Sequence, residues 1–267
     1  MQPYLIERGD APLLVSMPHA GTHLPIRIAE RMTGQARHVP DTDWHVERLY
    51  DMAGGLGATV LTATHSRYVV DLNRPPDNKP LYPGASNTEL CPLTMFDFSP
   101  IYLPGQEPDD AEVAARIEAY WRPYHDCLAA ELERLAARHG RVVLWEGHSI
   151  RSQVPRFFKG RLSDFNLGTA SGESADPELA GRLVALADRQ ADHGAVLNGR
   201  FKGGYITRHY GRPRTGVHAV QLELAEITYM EEDPPFRYLE DRAAPTKATI
   251  ASLLAIVLDW ATDKNLV

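Results

Sequence analysis

The chain has 267 residues, 43% of them hydrophobic and 24% charged, the balance of a globular protein rather than a disordered or fibrous one. Its formal net charge of -7 excludes a broad nucleic-acid or anionic-membrane surface while leaving room for a local basic pocket. Cys91 and Cys127 are its only cysteines, so neither a disulfide framework nor an all-thiolate metal site is expected.

The opening residues lack the basic segment, apolar run and small-residue cleavage site of a secretion signal. No stretch approaches the roughly 18 apolar residues that cross a bilayer, so the expected location is the cytoplasm, with no membrane partner. Residues 13–17 read as a buried strand that delivers Pro18, His19, Ala20 and Gly21 into a loop, because a helix does not continue comfortably into that proline. Residues 43–52 have helical spacing, ended by Gly54, Gly55 and Gly57. Residues 58–64 read as the next strand, and the β-branched residues of 66–74 extend the chain until Pro75 and Pro76 force a loop. Residues 75–109 are a long irregular excursion of the kind a compact domain keeps for a site or a lid.

A long helix is expected over 109–139, with Asp109 and Glu112 at capping-box spacing, Gly140 as the stop and, at Pro123, a kink or a division into two helices. Residues 142–145 form a strand that runs into Glu146, Gly147, His148 and Ser149, and 151–175 read as loop. Asp176 and Pro177 open a helix ending near Gly194, followed by a short strand at 195–198, a glycine-rich basic stretch at 201–211 and a strand at 217–224. A closing helix follows Pro245. Recurring strand-helix pairs predict an α/β fold with a mostly parallel sheet covered by helices on both faces, in a single domain spanning 1–267. In such sheets the ligand crevice lies beyond the carboxyl ends of the strands, where His19, Arg74 and His148 fall.

A hydrolytic metal site needs ligands with lone pairs and one open position for water. His19 and His148 with Asp41 or Asp43 compose such a set, although each aspartate also reads as a helix N-cap and each histidine as a structural hydrogen-bonding group. His23 reads as a weaker ligand candidate. Glu223 interrupts an apolar run, so it is either the partner of a core arginine or a base beside a metal. Arg67, Asn73 and Arg74 form the best anion-handling cluster, with neutralisation of Asp71 as the structural alternative. Arg208 and Arg214 offer a second clamp for an acidic substrate, or simply face solvent. There is no phosphate-binding Gly-x-Gly-x-x-Gly, no Walker lysine and no Gly-x-Ser-x-Gly elbow around Ser149.

Met17-Pro18-His19-Ala20-Gly21, Asp41-Thr42-Asp43-Trp44, the stretch from Ser66 to Arg74, Gly147-His148-Ser149, Phe201-Lys202-Gly203-Gly204-Tyr205 and Gln221-Leu222-Glu223 occur in this order. Together they resemble the N-formylglutamate amidohydrolase family, itself distantly similar to zinc carboxypeptidases and to deacylases of acylated acidic amino acids. The resemblance implies a three-layer α/β/α sandwich and hydrolysis of N-formyl-L-glutamate to formate and L-glutamate in histidine degradation. It implies zinc held by His19 and His148, Glu223 as general base, and Asn73 with Arg74 at the substrate's carboxylate or carbonyl. The wider zinc-peptidase pattern has a glutamate three residues after the first histidine, where this chain has Thr22. Threonine does not replace a carboxylate ligand, so Asp43 is expected to supply the oxygen, with Asp41 next in line. The expected catalytic residues are then Glu223, Arg67 and Arg74, and the expected substrate-binding residues Arg67, Asn73, Arg74, Arg208 and Arg214. The partner is a small acidic N-formyl amino acid, and the sequence assigns no oligomeric state.

Overall fold

A computed structural model describes residues 1–81, 84 and 86–263. Seven strands form one sheet: β1 (Tyr4–Glu7), β2 (Leu13–Met17), β3 (Thr59–Ala63), β4 (Val142–Ile150), β5 (Phe165–Gly168), β6 (Ala195–Leu197) and β7 (Val217–Ala225). Their order across the sheet is β1-β3-β2-β4-β7-β5-β6. The pairs β2/β3, β2/β4, β4/β7 and β5/β6 are parallel, whereas β1/β3 and β5/β7 are antiparallel. The sheet is thus mixed and mostly parallel, as the alternation of strands and helices predicts.

The helices are α1 (Ile26–Ala29), α2 (Val46–Leu49), α3 (Asp110–Arg116), α4 (Arg122–His139), α5 (Pro177–Gln190), α6 (Tyr205–Tyr210) and α7 (Glu240–Thr262). Side chains alternate across the strands, so the central strands β2, β4 and β7 feed two cores. Leu13, Val15, Val143, Trp145 and Leu222 pack with Leu179 and Leu183 of α5 and Ile250 and Leu253 of α7. Leu14, Leu61, Leu144 and Ala219 point the other way, onto Tyr124, Leu128 and Leu132 of α4 and Ile206 of α6. Burial on both faces explains why the central strands read as apolar runs. It also makes the polar residues inside those runs conspicuous.

Several boundaries depart from expectation for local reasons. Residues 66–74 are turns, not an extended segment. Ser66 Oγ accepts the Tyr68 amide at 3.2 Å and Asp71 Oδ1 the Asn73 amide at 2.9 Å, so side chains capture the backbone groups that a ladder would have used. The helix expected at 43–52 shrinks to α2, since His45 takes a left-handed φ of 61° at its start. The long helix divides as predicted near Pro123, through a π-helical turn at Ile117–Trp121; Asp109 caps its start and Gly140, at φ 74°, its end.

β4 continues to Ile150, so Glu146 and His148 lie within the strand rather than beyond it. The stretch expected as loop between 151 and 175 contains β5, and α7 begins at Glu240 with Pro245 inside it. No regular helix or strand occurs among the described residues of 75–109. Among the described residues, no helix is long and apolar enough to cross a membrane.

Candidate metal centre

The carboxyl ends of β2, β4 and β7 meet on the sheet face that carries α4 and α6. His148 is paired in register with Glu223 and Glu146 with Gln221, and in parallel strands such partners project to the same face. Four polar side chains therefore stand together inside otherwise apolar strands, and all four are buried. The turn after β2 brings in His19, whose carbonyl accepts the Asp43 amide at 3.1 Å and so fixes the aspartate beside it.

His19, Asp43 and His148 each offer a ligand atom, all within 4.8 Å of one another. The three side chains are buried, with ring centroids of the two histidines 4.8 Å apart. Nδ1 of His148 lies 2.8 Å, and Nδ1 of His19 3.7 Å, from Asp43 Oδ2. Two imidazole nitrogens converging on one carboxylate oxygen in a buried site are the donor set for a divalent ion, and zinc suits this chemistry. The residues present fit the metal that the sequence led us to expect. Asp41 does not join them: its Oδ2 accepts the Tyr68 hydroxyl at 2.6 Å and the Phe96 amide at 2.9 Å. Thr22 is exposed and contributes nothing.

The surrounding charges are balanced. Burial opposes ionisation of Asp71, yet His19, Arg67 and Arg74 hold its carboxyl well below the usual range. Burial, reinforced by Arg67, keeps His19 below its ordinary pKa and hence neutral, with a lone pair to offer. Burial works against charge on His148, but its bonds to Asp43 and Glu146 raise its pKa well above 6.5. Glu223 accepts one bond from Gln221 Nε2 at 3.0 Å, and burial pushes its carboxyl up to about 8. A cation bound beside it would draw that value down toward neutrality, where a proton acceptor works best.

Arg67, Asn73, Arg74, His19, His148 and Glu223 line one cavity. Arg67 is ion-paired with Asp71 at 3.0 Å and lies 3.7 Å from Asp43, so it neutralises acids and faces the cavity as well. Arg74 is tethered to the Thr88 carbonyl at 3.2 Å and the Thr88 hydroxyl at 3.0 Å.

Two sequence candidates lie elsewhere. Arg208, on α6, donates to the Gly203 carbonyl at 2.9 Å and does not line the cavity. Arg214 is exposed just before β7 begins, at the opposite end of the strand from Glu223. Its proximity along the chain to a site strand concealed which end it occupies. In its place the cavity wall has Arg200, which donates to the Phe157 carbonyl at 2.5 Å, with Phe96, Phe157 and Phe201 around it. Nothing in local sequence marks Arg200. Glu146, by contrast, had a signal like that of Glu223, a carboxylate against apolar residues, and was missed because the strand was ended at 145, short of its end at Ile150.

The glycine-rich stretch before α6 also acquires a structural reason. Gly204 donates its amide to Gln221 Oε1 at 2.7 Å, and a Cβ there would come within 2.2 Å of Asn73 Nδ2. Only glycine lets this backbone approach so closely.

An α/β fold with a buried His/Asp/His donor set and a glutamate whose carboxyl burial pushes up, at its strand ends, fits an enzyme of hydrolytic type. The chain belongs to the N-formylglutamate amidohydrolase family, whose family model matches residues 11–230. It is 51% identical over 257 residues to the N-formylglutamate deformylase of Pseudomonas putida, with 96% of each chain covered. Identity to the deformylase of Pseudomonas aeruginosa is 53% over 258 residues, with 97% of each covered. The crystal structure of N-formylglutamate amidohydrolase from Ralstonia eutropha is similar at a TM-score of 0.81 and 27% identity, covering 98% of this chain and 97% of that one.

Proposed function

We propose that the protein hydrolyses N-formyl-L-glutamate to formate and L-glutamate, using one divalent metal ion, zinc by its donor set, as a step of histidine degradation in the cytoplasm. The observation that carries this reading is the buried group of His19, Asp43 and His148 beside Glu223, at the strand ends of a chain that belongs to this family. When bound, the ion supplies Lewis-acid activation of water and of the scissile carbonyl.

The chain's own residues do the rest. Glu223 takes the proton from the attacking water as its oxygen adds to the formyl carbon, and returns it to the nitrogen as the C–N bond breaks. Its buried, nearly neutral poise suits both transfers. Arg67 adds positive charge where the carbonyl oxygen becomes negative. Asn73 Nδ2 sits 3.0 Å from His148 Nε2, a nitrogen already committed to Glu146 at 2.7 Å, so its N–H is better offered to a ligand carbonyl or carboxylate. Arg74 and Arg200, both on the cavity wall, provide charge for the substrate's two carboxylates.

The test is release of formate and glutamate by metal-analysed protein on N-formyl-L-glutamate, N-formyl-L-aspartate and N-acetyl-L-glutamate. Preference for N-formyl-L-glutamate, abolished by a chelator and restored by zinc, is expected. Equal or better turnover of another acyl amino acid would reassign the substrate, and full activity after metal stripping would overturn the mechanism.

A further inference from the structure

Each histidine of the centre has a carboxylate on its far side. His19 Nε2 lies 2.7 Å from Asp71 Oδ1, and His148 Nε2 lies 2.7 Å from Glu146 Oε1. Neither carboxylate is loosely placed. Asp71 Oδ1 also accepts the Asn73 amide at 2.9 Å, and Asp71 Oδ2 accepts Arg67 Nη2 at 3.0 Å. Glu146 Oε2 accepts the Thr207 amide at 3.0 Å and the Thr207 hydroxyl. Acids surrounded by donors in this way can only accept from an imidazole, so each ring carries a proton on Nε2. Arg67 Nη2, 3.4 Å from the same nitrogen of His19, has no lone pair there to compete for. Both Nδ1 atoms are left facing Asp43 Oδ2, as the converging distances record.

We propose that Asp71 and Glu146 are positioning residues that fix both imidazoles as Nε2–H tautomers and thereby present Nδ1 of His19 and Nδ1 of His148 to the metal ion. Outer carboxylates of this kind set ring orientation and raise ligand basicity. The inference rests on the metal reading of the site and adds which atoms bind and what aims them. It also gives the glycine-rich stretch before α6 a role. The backbone amides of Gly204, Ile206 and Thr207 donate in turn to Gln221, Asn73 and Glu146, so this one turn of chain holds the residues behind His148 in place. β4 then supplies both a ligand, His148, and its orienter, Glu146, two residues apart on one face.

Three measurements on the full chain test this. Long-range ¹H–¹⁵N NMR of the zinc-loaded protein should show Nε2–H with Nδ1 coordinated for both histidines. Glu146→Gln and Asp71→Asn should each raise the zinc Kd about 10- to 100-fold in a chelator competition. Both should alter the visible spectrum of the cobalt-substituted protein. Circular dichroism and thermal melting establish that each variant is folded, and if Asp71→Asn is not, Glu146→Gln and the wild-type tautomers decide the matter. Nε2 coordination of either ring, or unchanged zinc affinity and cobalt spectrum in a folded variant, would overturn the proposal while leaving the metal reading intact. A wild-type protein that binds no zinc would overturn both.

Discussion

Replacing Glu223 by glutamine exchanges one carboxyl oxygen for an amide and leaves the packing almost untouched, since the amide oxygen can still accept the Gln221 bond that now measures 3.0 Å. On the proposed mechanism, what is lost is the proton carrier for both halves of the reaction. General acid-base groups contribute about 10²- to 10⁴-fold, so kcat should fall roughly a thousandfold, equivalent to about 4 kcal/mol at about 1.4 kcal/mol per factor of ten. Stability should move the other way. The buried carboxyl has its pKa raised from 4.5 to about 8, so the folded, metal-stripped protein keeps it protonated while the unfolded chain ionises it. Its penalty therefore begins as the pH rises past 4.5 and grows until about 8. At pH 7 the interval corresponds to at most about 3 kcal/mol, which glutamine removes. Steady-state formate release, zinc content and denaturant melts of the metal-stripped proteins measure the three quantities together. Activity within tenfold of wild type, with zinc content unchanged, would refute Glu223 as the proton carrier; a less stable metal-stripped variant would refute the account of its burial.

The two aspartates before α2 should separate cleanly. Asp43→Ala is expected to abolish stoichiometric zinc by elemental analysis, whereas Asp41→Ala should retain zinc but lose about 1 to 3 kcal/mol in urea denaturation, because the Tyr68 hydroxyl and Phe96 amide lose their acceptor. Gly204→Ala should lower kcat/KM about 10- to 100-fold without metal loss, since its Cβ would displace an Asn73 amide 2.2 Å away. His125 offers a pH test at a residue that is not itself a candidate ligand. Its Nε2 donates to the Leu72 carbonyl at 2.8 Å and its Nδ1 accepts the Tyr210 hydroxyl at 3.0 Å, which satisfies the neutral ring, and burial lowers its pKa from 6.5 to about 3. Below pH 6.5 the unfolded chain binds the proton first, so stability should decline by about 2 kcal/mol between pH 6.5 and 5 from this residue. His125→Gln should flatten that slope in urea melts across the pH range; an unchanged slope would contradict it.

The centre was legible where chemistry interrupts hydrophobic patterning. His19 directly after an apolar strand and Glu223 within one both stand where a buried polar group requires a reason. Register then did what spacing could not. It set Glu223 against His148 across β4 and β7, although 75 residues separate them in the chain, by the difference of their numbers. Turns were harder, because the β-branched residues of 66–74 satisfy strand propensity while Ser66 and Asp71 satisfy the backbone locally, and the local bonds prevailed. β5 was hidden by its four-residue length and its antiparallel pairing with β7, which breaks the strand-helix alternation. The arginines divided for the same reason of geometry. Arg67 and Arg74 follow β3 in the direction of the site, whereas Arg214 precedes β7 and so lies at the end of that strand away from the candidate site.

His19, Asp43 and His148 are proposed to hold the metal at which N-formyl-L-glutamate is cleaved. Anomalous diffraction at the zinc edge, from crystals of active protein soaked with a non-hydrolysable analogue of that substrate, tests it most directly. A single strong peak is expected, bonded to Nδ1 of both histidines and to Asp43, with the analogue's acyl group between it and Glu223. A peak elsewhere, or an active protein with no peak at all, would contradict it.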